Sequence, residues 1–181
     1  SKYRTAVKVS TGTSAGKTIT GITKATSAVV SSSAHGLTVG TIVVISGVVG
    51  MTEINNLACL ITAVTTNDFT INIDSTGYTT YTSGGTATPQ TMTIVENVLD
   101  FQRQGDEADR IDSTNLQSIK KEYVVGLSGE GSITMPVHVD STGTGQAAVR
   151  AKVGTDTAQA VSVTRSDGKI EIQRRGTHGQ W

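Results

Sequence analysis

Cysteine, proline and aromatic side chains are scarce in this chain of 181 residues, and each shortage narrows what it can be. The single cysteine, Cys59, excludes an internal disulfide and a cysteine-cluster metal site. It lies in "NLACLITAV", where a buried core thiol is expected rather than a nucleophile. Two Phe, one Trp and four Tyr supply little large-area burial, so the core is expected to be modest for the length, with neighbours adding stability. The formal net charge is zero, which leaves no whole-chain electrostatic footprint for nucleic acid. No apolar run approaches the roughly 18 residues of a membrane helix. The opening "SKYRTAVKV" lacks the apolar centre of a signal peptide, so synthesis in the cytoplasm with no membrane partner is expected.

What the chain has in quantity is Gly, Ser and Thr. One such stretch, "STGTSAGKT" from Ser10 to Thr18, has the look of a phosphate-binding loop. That signature needs Gly, four residues, then Gly-Lys-Ser/Thr, so that successive N–H groups curl around a phosphate at a helix N-terminus. Here Gly12 and Gly16 are only three residues apart, and "ITGITKATSAVVSSS" follows, without the period of a helix. The reading is therefore a Gly/Ser/Thr connector between two strands, with no enzymatic role and no cofactor.

Charge is unevenly spread. Residues 19–88 hold one basic residue, Lys24, and three acidic ones, Glu53, Asp68 and Asp74, whereas 89–181 hold ten basic and twelve acidic. Two units are expected: a discontinuous one made of 1–18 and 89–181, and an inserted one of 19–88. The insert reads as all-β, with strands at Ala28 to Ser32, Thr41 to Ser46, Leu57 to Val64 and Phe69 to Ile73, separated by turn signals at the spacing of a small barrel or sandwich. The other unit is mixed. Val7 and Val9 begin it, Met92, Ile94, Val98 and Leu99 continue it, and Tyr123 to Val125 with Ile133 to Val139 are expected to form a hairpin across "GLSGEG". Pro136, which cannot donate to a ladder, marks a bulge or an edge. A helix is predicted after Asp140-Ser-Thr, whose side chains can accept from free N–H groups, through "GQAAVRAKV" to Gly154. "AVSVT" and "KIEIQ" form a last hairpin turning at Asp167-Gly168.

Little in this pattern carries chemistry. His35, His138 and His178 fall in a turn, a strand and a tail, with nothing to assemble a triad. The acidic run "GDEADRID", with Asp106, Glu107, Asp109, Arg110 and Asp112, lacks the central Gly and terminal Glu of a calcium loop. It reads as a solvated loop, and as a contact with a partner subunit once a family is considered. "IQRRGTHGQW" has too few Arg and aromatic residues for a nucleic-acid stacking platform.

Two resemblances bear on function. His35-Gly36-Leu37, Gly40, Ile45-Ser-Gly-Val48, Gly50-Met-Thr-Glu-Ile-Asn55, Thr76-Gly-Tyr78 and Ser83-Gly-Gly-Thr86 closely resemble a module recurrent in phage tail proteins. That module is similar to the first catalytic-cysteine half-domain of ubiquitin-activating enzymes, and the resemblance implies a small β-barrel without a reactive cysteine. The flanking unit resembles the tail tube protein (major tail protein) of long, non-contractile-tailed bacteriophages. "SKYRTAVKV", Ile111-Asp-Ser-Thr114, Gly126-Leu-Ser-Gly-Glu-Gly131 and "GQAAVRAKV" carry this second likeness.

The likeness implies a mainly β fold: a tail-tube-type β-sandwich or barrel with one α-helix, plus the inserted small all-β barrel. It further implies hexameric rings stacked into a tube in the virion, contacts with other tail proteins, and viral DNA passing through the lumen without specific binding. The loop from Gly105 to Thr114 is then the candidate inter-subunit or inter-ring contact, and the insert an outward decoration with a cell-surface glycan as an open partner. The rival is a virion-surface or secreted β-rich adhesion or carbohydrate-binding module. The family usually continues past the last hairpin with further strands, whereas this sequence ends at Trp181.

Overall fold

A computed structural model describes residues 6–99, 102–104, 108–112, 123–128, 132–152, 159–165 and 169–175. The elements in chain order are β1 (Ala6–Thr13), β2 (Lys17–Thr18), β3 (Gly21–Ile22), β4 (Val29–Ser31), β5 (Ile42–Val49), a 3-10 turn (Thr52–Ile54), β6 (Ala58–Val64), β7 (Asp68–Ile71), β8 (Ser83–Ile94), β9 (Gln102–Gln104), β10 (Ala108–Asp112), β11 (Tyr123–Ser128), β12 (Ser132–Thr134), α1 (Thr144–Lys152), β13 (Gln159–Thr164) and β14 (Ile170–Arg175). The fold is mainly β, as the turn spacing and alternation predict. The chain divides into two compact units, 1–96 with 140–181, and 97–139.

The first unit is built on one antiparallel sheet in the order β14-β13-β1-β8-β5-β6-β7-β4-β3, with β2 also on β8. Its main organiser is β8, 12 residues long. The first part of β8 pairs with β5 from Val49↔Ser83 to Ile42↔Gln90, and its last part pairs with β1 from Thr13↔Gln90 to Lys8↔Ile94. Strands β13 and β14 form the predicted final hairpin and β13 pairs with β1, Val9↔Val161 among the matched residues. The Asp167-Gly168 turn itself lies outside the described residues.

One apolar cluster fills the stretch between Ile19 and Ala87. It includes Val30, Val43, Ile45, Met51, Ile54, Cys59, Ile61, Phe69 and Ile71, with Leu37, Leu57, Ile73, Tyr78 and Tyr81 packed against it. The alternation read at Phe69, Ile71 and Ile73 is the inward face of β7 and its continuation. Burying such a side chain contributes about 1.5–3 kcal/mol, so this cluster is the main stabilising term of its region. Polar side chains there are satisfied by backbone. The Asn55 carboxamide takes the Val48 N–H and donates to the Val48 carbonyl, both at 2.9 Å, and the Ser75 hydroxyl accepts from Ala25 N–H at 3.1 Å.

The expected small barrel is not a closed ladder. Strands β2 and β3 are separate two-residue pieces, the first on β8 and the second on β4. Between them the Ile19 N–H reaches Gly85 O at 3.0 Å and the Thr20 N–H reaches Ser31 O at 2.9 Å. The segment from Lys17 to Ile22 therefore spans from one end of the strand path to the other without a continuous register.

The second unit is a single long antiparallel hairpin. Val98 bridges Val137, β9 pairs with β12 (Gln102↔Thr134, Gln104↔Ser132), and β10 pairs with β11 (Arg110↔Val125, Asp112↔Tyr123), all in nearly one register. This corrects the predicted hairpin across "GLSGEG": β11 pairs back onto β10 and β12 onto β9, so the two expected partners lie on different ladders. The physical reason is that β11 runs on through Gly126 and Leu127 to Ser128, the first residues of the expected turn. The long Ile133 to Val139 strand shrinks to Ser132–Thr134 plus the bridge at Val137.

Candidate assembly surface

The stretch with the look of a phosphate loop is a splice between strands. Lys17 and Thr18 form β2 against Ala87 and Thr86 of β8, where a phosphate loop needs a helix N-terminus. Ser14 to Gly16 make the jog that carries the chain from β1 to β2 alongside β8. Pro89 lies opposite this jog, and its carbonyl accepts from Ser14 N–H at 2.9 Å. In an antiparallel strand the N–H and C=O of a residue point to the same neighbour, so the donor that proline lacks faces the gap between β1 and β2. A proline thus sits within a central strand at the one place where no ladder bond is lost. Gly16 marks a close approach: a Cβ there would run into the Thr86 methyl group and force that side chain to shift.

Titratable groups of the insert are used structurally. His35 is 2% exposed; its Nδ1 accepts from Leu37 N–H at 2.9 Å, which leaves Nε2 to donate to Asp68 O at 3.2 Å. Its ring meets Phe69 edge-on at 5.3 Å. Burial pushes the Cys59 thiol up to about 12, which keeps it protonated and unreactive near neutral pH. Glu53 accepts from the Thr79 N–H and hydroxyl at 2.9 and 2.8 Å, and Asp74 from the Thr76 N–H and hydroxyl at 3.0 and 2.6 Å. Among the described residues no cluster of His, Cys, Asp and Glu could hold a metal ion, and no helix is long and apolar enough to cross a membrane.

Within the first unit, α1 packs on β1 and β8. Glycine at 145 permits this: a Cβ would strike the Ile94 carbonyl and lie 2.9 Å from Val95 Cα. Sequence reasoning assigns the cap of α1 to Asp140, Ser141 and Thr142. Asp140 instead turns the chain just before the helix, its Oδ1 accepting from the Thr142 hydroxyl and N–H at 2.7 and 2.9 Å. The free helix N–H groups of Gly145 and Gln146 go to the Glu96 carboxylate at 3.2 and 3.4 Å. The acceptor sits 48 residues or more upstream of the helix, beyond any local capping pattern. The hydrogen bond from its own backbone N–H, then those from Gly145, Gln146 and Thr144, hold Glu96 below its ordinary range, against an opposing effect of burial. Thr142 does the same for Asp140, with Gly143 N–H and the Arg150 charge adding to it.

Of the candidate contact residues, Asp109, Arg110 and Asp112 lie on β10 and not in a loop, with a register shift between Ala108 and Arg110. Asp106 and Glu107 fall outside the described residues, as does His178. Three of the five thus share one strand. Leu99 and Val139, near the base of the same hairpin, leave large apolar side chains 60% and 77% exposed.

An open antiparallel sheet and the further antiparallel strand pairs define a mainly β protein. Residues 71–177, more than half of the chain, match the family model for the lambda-like phage tail tube, and the chain belongs to that family. Residues 24–90 match the model for the FCCH domain of ubiquitin-activating enzyme E1, which fits the module seen in the sequence. No curated protein matches the chain. It is a structural tail protein.

Proposed function

We propose that the chain is the repeating subunit of a phage tail tube, assembling as sixfold rings that stack into the conduit for DNA ejection, and that it has no enzymatic activity. The match over residues 71–177 carries this reading. Physical features support it: the sheet ends at β14, whose ladder partner among the described residues is β13, and unpaired strand edges are a liability that ring closure removes. A bore for DNA should avoid basic patches, since each neutralised phosphate adds affinity through counterion release. Zero net charge is compatible with passage without specific binding.

The division into a tube domain of 1–18 with 89–181 and a module of 19–88 is supported by the apolar cluster, whose buried members all lie between Ile19 and Ala87. The module projects outward, because a body of that size would obstruct a narrow bore, and it serves as a decoration open to other tail proteins or to a surface glycan. The contact between subunits or rings is made by the hairpin limb bearing Asp109, Arg110 and Asp112, with Asp106 and Glu107. Negative-stain microscopy of the concentrated protein is expected to show sixfold rings or tubes; stable monomers would favour the adhesion-module reading. Asp109→Lys is expected to reduce ring or tube formation, and normal tubes from that variant would remove the limb from the interface.

A further inference from the structure

One buried side chain stands at the root of the hairpin, and neither the family match nor the tube reading gives it a task. Gln146 is 1% exposed although it is polar. Its Nε2 donates to the Glu96 carbonyl at 2.8 Å, and its Oε1 accepts from the Asp140 backbone N–H at 3.0 Å. Glu96 is the last residue before the hairpin and Asp140 the first after it. Just beyond them the limbs pair directly, with His138 N–H on Asn97 O at 3.0 Å and Leu99 N–H on Pro136 O at 2.9 Å. The carboxamide, with a donor on one arm and an acceptor on the other, thus occupies the position of the next rung. It has the donor and acceptor polarity of a peptide group, which is what a rung requires.

The neighbouring bonds hold this amide in place. Arg150 Nη2 donates to Gln146 Oε1 at 3.2 Å and to the Asp140 carbonyl at 3.0 Å, and the Glu96 carboxylate accepts from the first turn of α1. Glu96 and Asp140, the two residues of the first unit that flank 97–139, are therefore tied to a single helix, which the close Gly145 contact ties in turn to β8.

We infer that Gln146 is a positioning residue that closes the base of the 97–139 hairpin, fixing the separation of its two limbs before any assembly takes place. A buried amide is costly unless both ends are bonded, so the site selects against an apolar residue only if the rung matters to the hairpin. Hydrogen exchange on the unassembled full-length chain tests this apart from the tube reading. In Gln146→Leu, similar in size but unable to bond, the Leu99 and His138 amides should exchange about tenfold faster or more, with the Cys59 and Ile61 amides unchanged. Gln146→Asn, polar but one methylene short of spanning the two limbs, should show the same selective loss and serves where the Leu variant does not fold. Unchanged exchange at Leu99 and His138 in a folded variant overturns the inference, as does a uniform rise across all amides, which would make Gln146 a general core residue.

Discussion

At the scale of single residues, the tightest constraint lies where α1 meets the end of β8. Alanine in place of glycine within a helix ordinarily gains about 1 kcal/mol. At Gly145 the added methyl group would meet the Ile94 carbonyl and Val95 Cα, both backbone, which cannot rotate away. Forcing a methyl group into such a contact costs about 1–3 kcal/mol and outweighs the propensity gain. Gly145→Ala should therefore lower the urea midpoint with an unchanged m-value, and a raised midpoint would show that the helix can retreat without loss. The same scale explains Cys59, whose burial makes it a packing group, as its apolar surroundings in the sequence suggest.

At the scale of elements, the cap of α1 is conditional on pH. Glu96 and Asp140 titrate below their ordinary values when folded, so the unfolded chain binds their protons more readily. Their stabilisation is complete above the usual carboxylate range near pH 4 and is lost as pH falls through their lowered values. Amide exchange at Gly145 and Gln146, followed from pH 6 downward with correction for intrinsic rates, should show protection falling in that window. Glu96→Gln, which keeps an acceptor without a charge, should flatten the dependence.

Elements defined by local pattern were readable from the sequence, and those defined by distant partners were not. Phe69 and Ile71 alternate with polar neighbours and form a strand; the "AVSVT" and "KIEIQ" runs pair with each other; the "GQAAVRAK" segment is helical as expected. By contrast β10 is a charged sequence that becomes a strand because β11 supplies its ladder, and no period in "ADRID" announces that. Glu96 as a helix cap and Gln146 as a buried amide were equally hidden, since the bonds that join these two residues and the helix span about 50 positions of sequence. A polar residue in the first turn of a helix otherwise reads as solvated.

At the scale of the whole molecule, the question is whether the insert behaves as a separate body. β8 is shared: Ser83 to Gln90 pair with β5 and Gln90 to Ile94 with β1, with no linker between the two stretches. Unfolding the insert removes the partner of half of that strand and exposes the remainder. Differential scanning calorimetry of the unassembled chain is expected to show the first unit, 1–96 with 140–181, melting in one cooperative transition. A separate, earlier transition that disappears on Phe69→Ala would show that the insert unfolds by itself.

The paired exit of β1 and β8 also has a mechanical side. The two chain segments that join the insert to the rest of the sheet run next to each other, held by the ladder from Thr13↔Gln90 to Lys8↔Ile94 and, past the jog, by Lys17↔Ala87 and Thr18↔Thr86. Tension drawing the insert away along those strands passes down two covalent backbones, and no hydrogen bond has to carry it. Bending is resisted by the rungs between them, which are fewest at Ser14 to Gly16, where the Ser14 N–H bonds to the Pro89 carbonyl and the proline offers no donor in return. Any flexing of the insert under lateral load is therefore concentrated at that three-residue step.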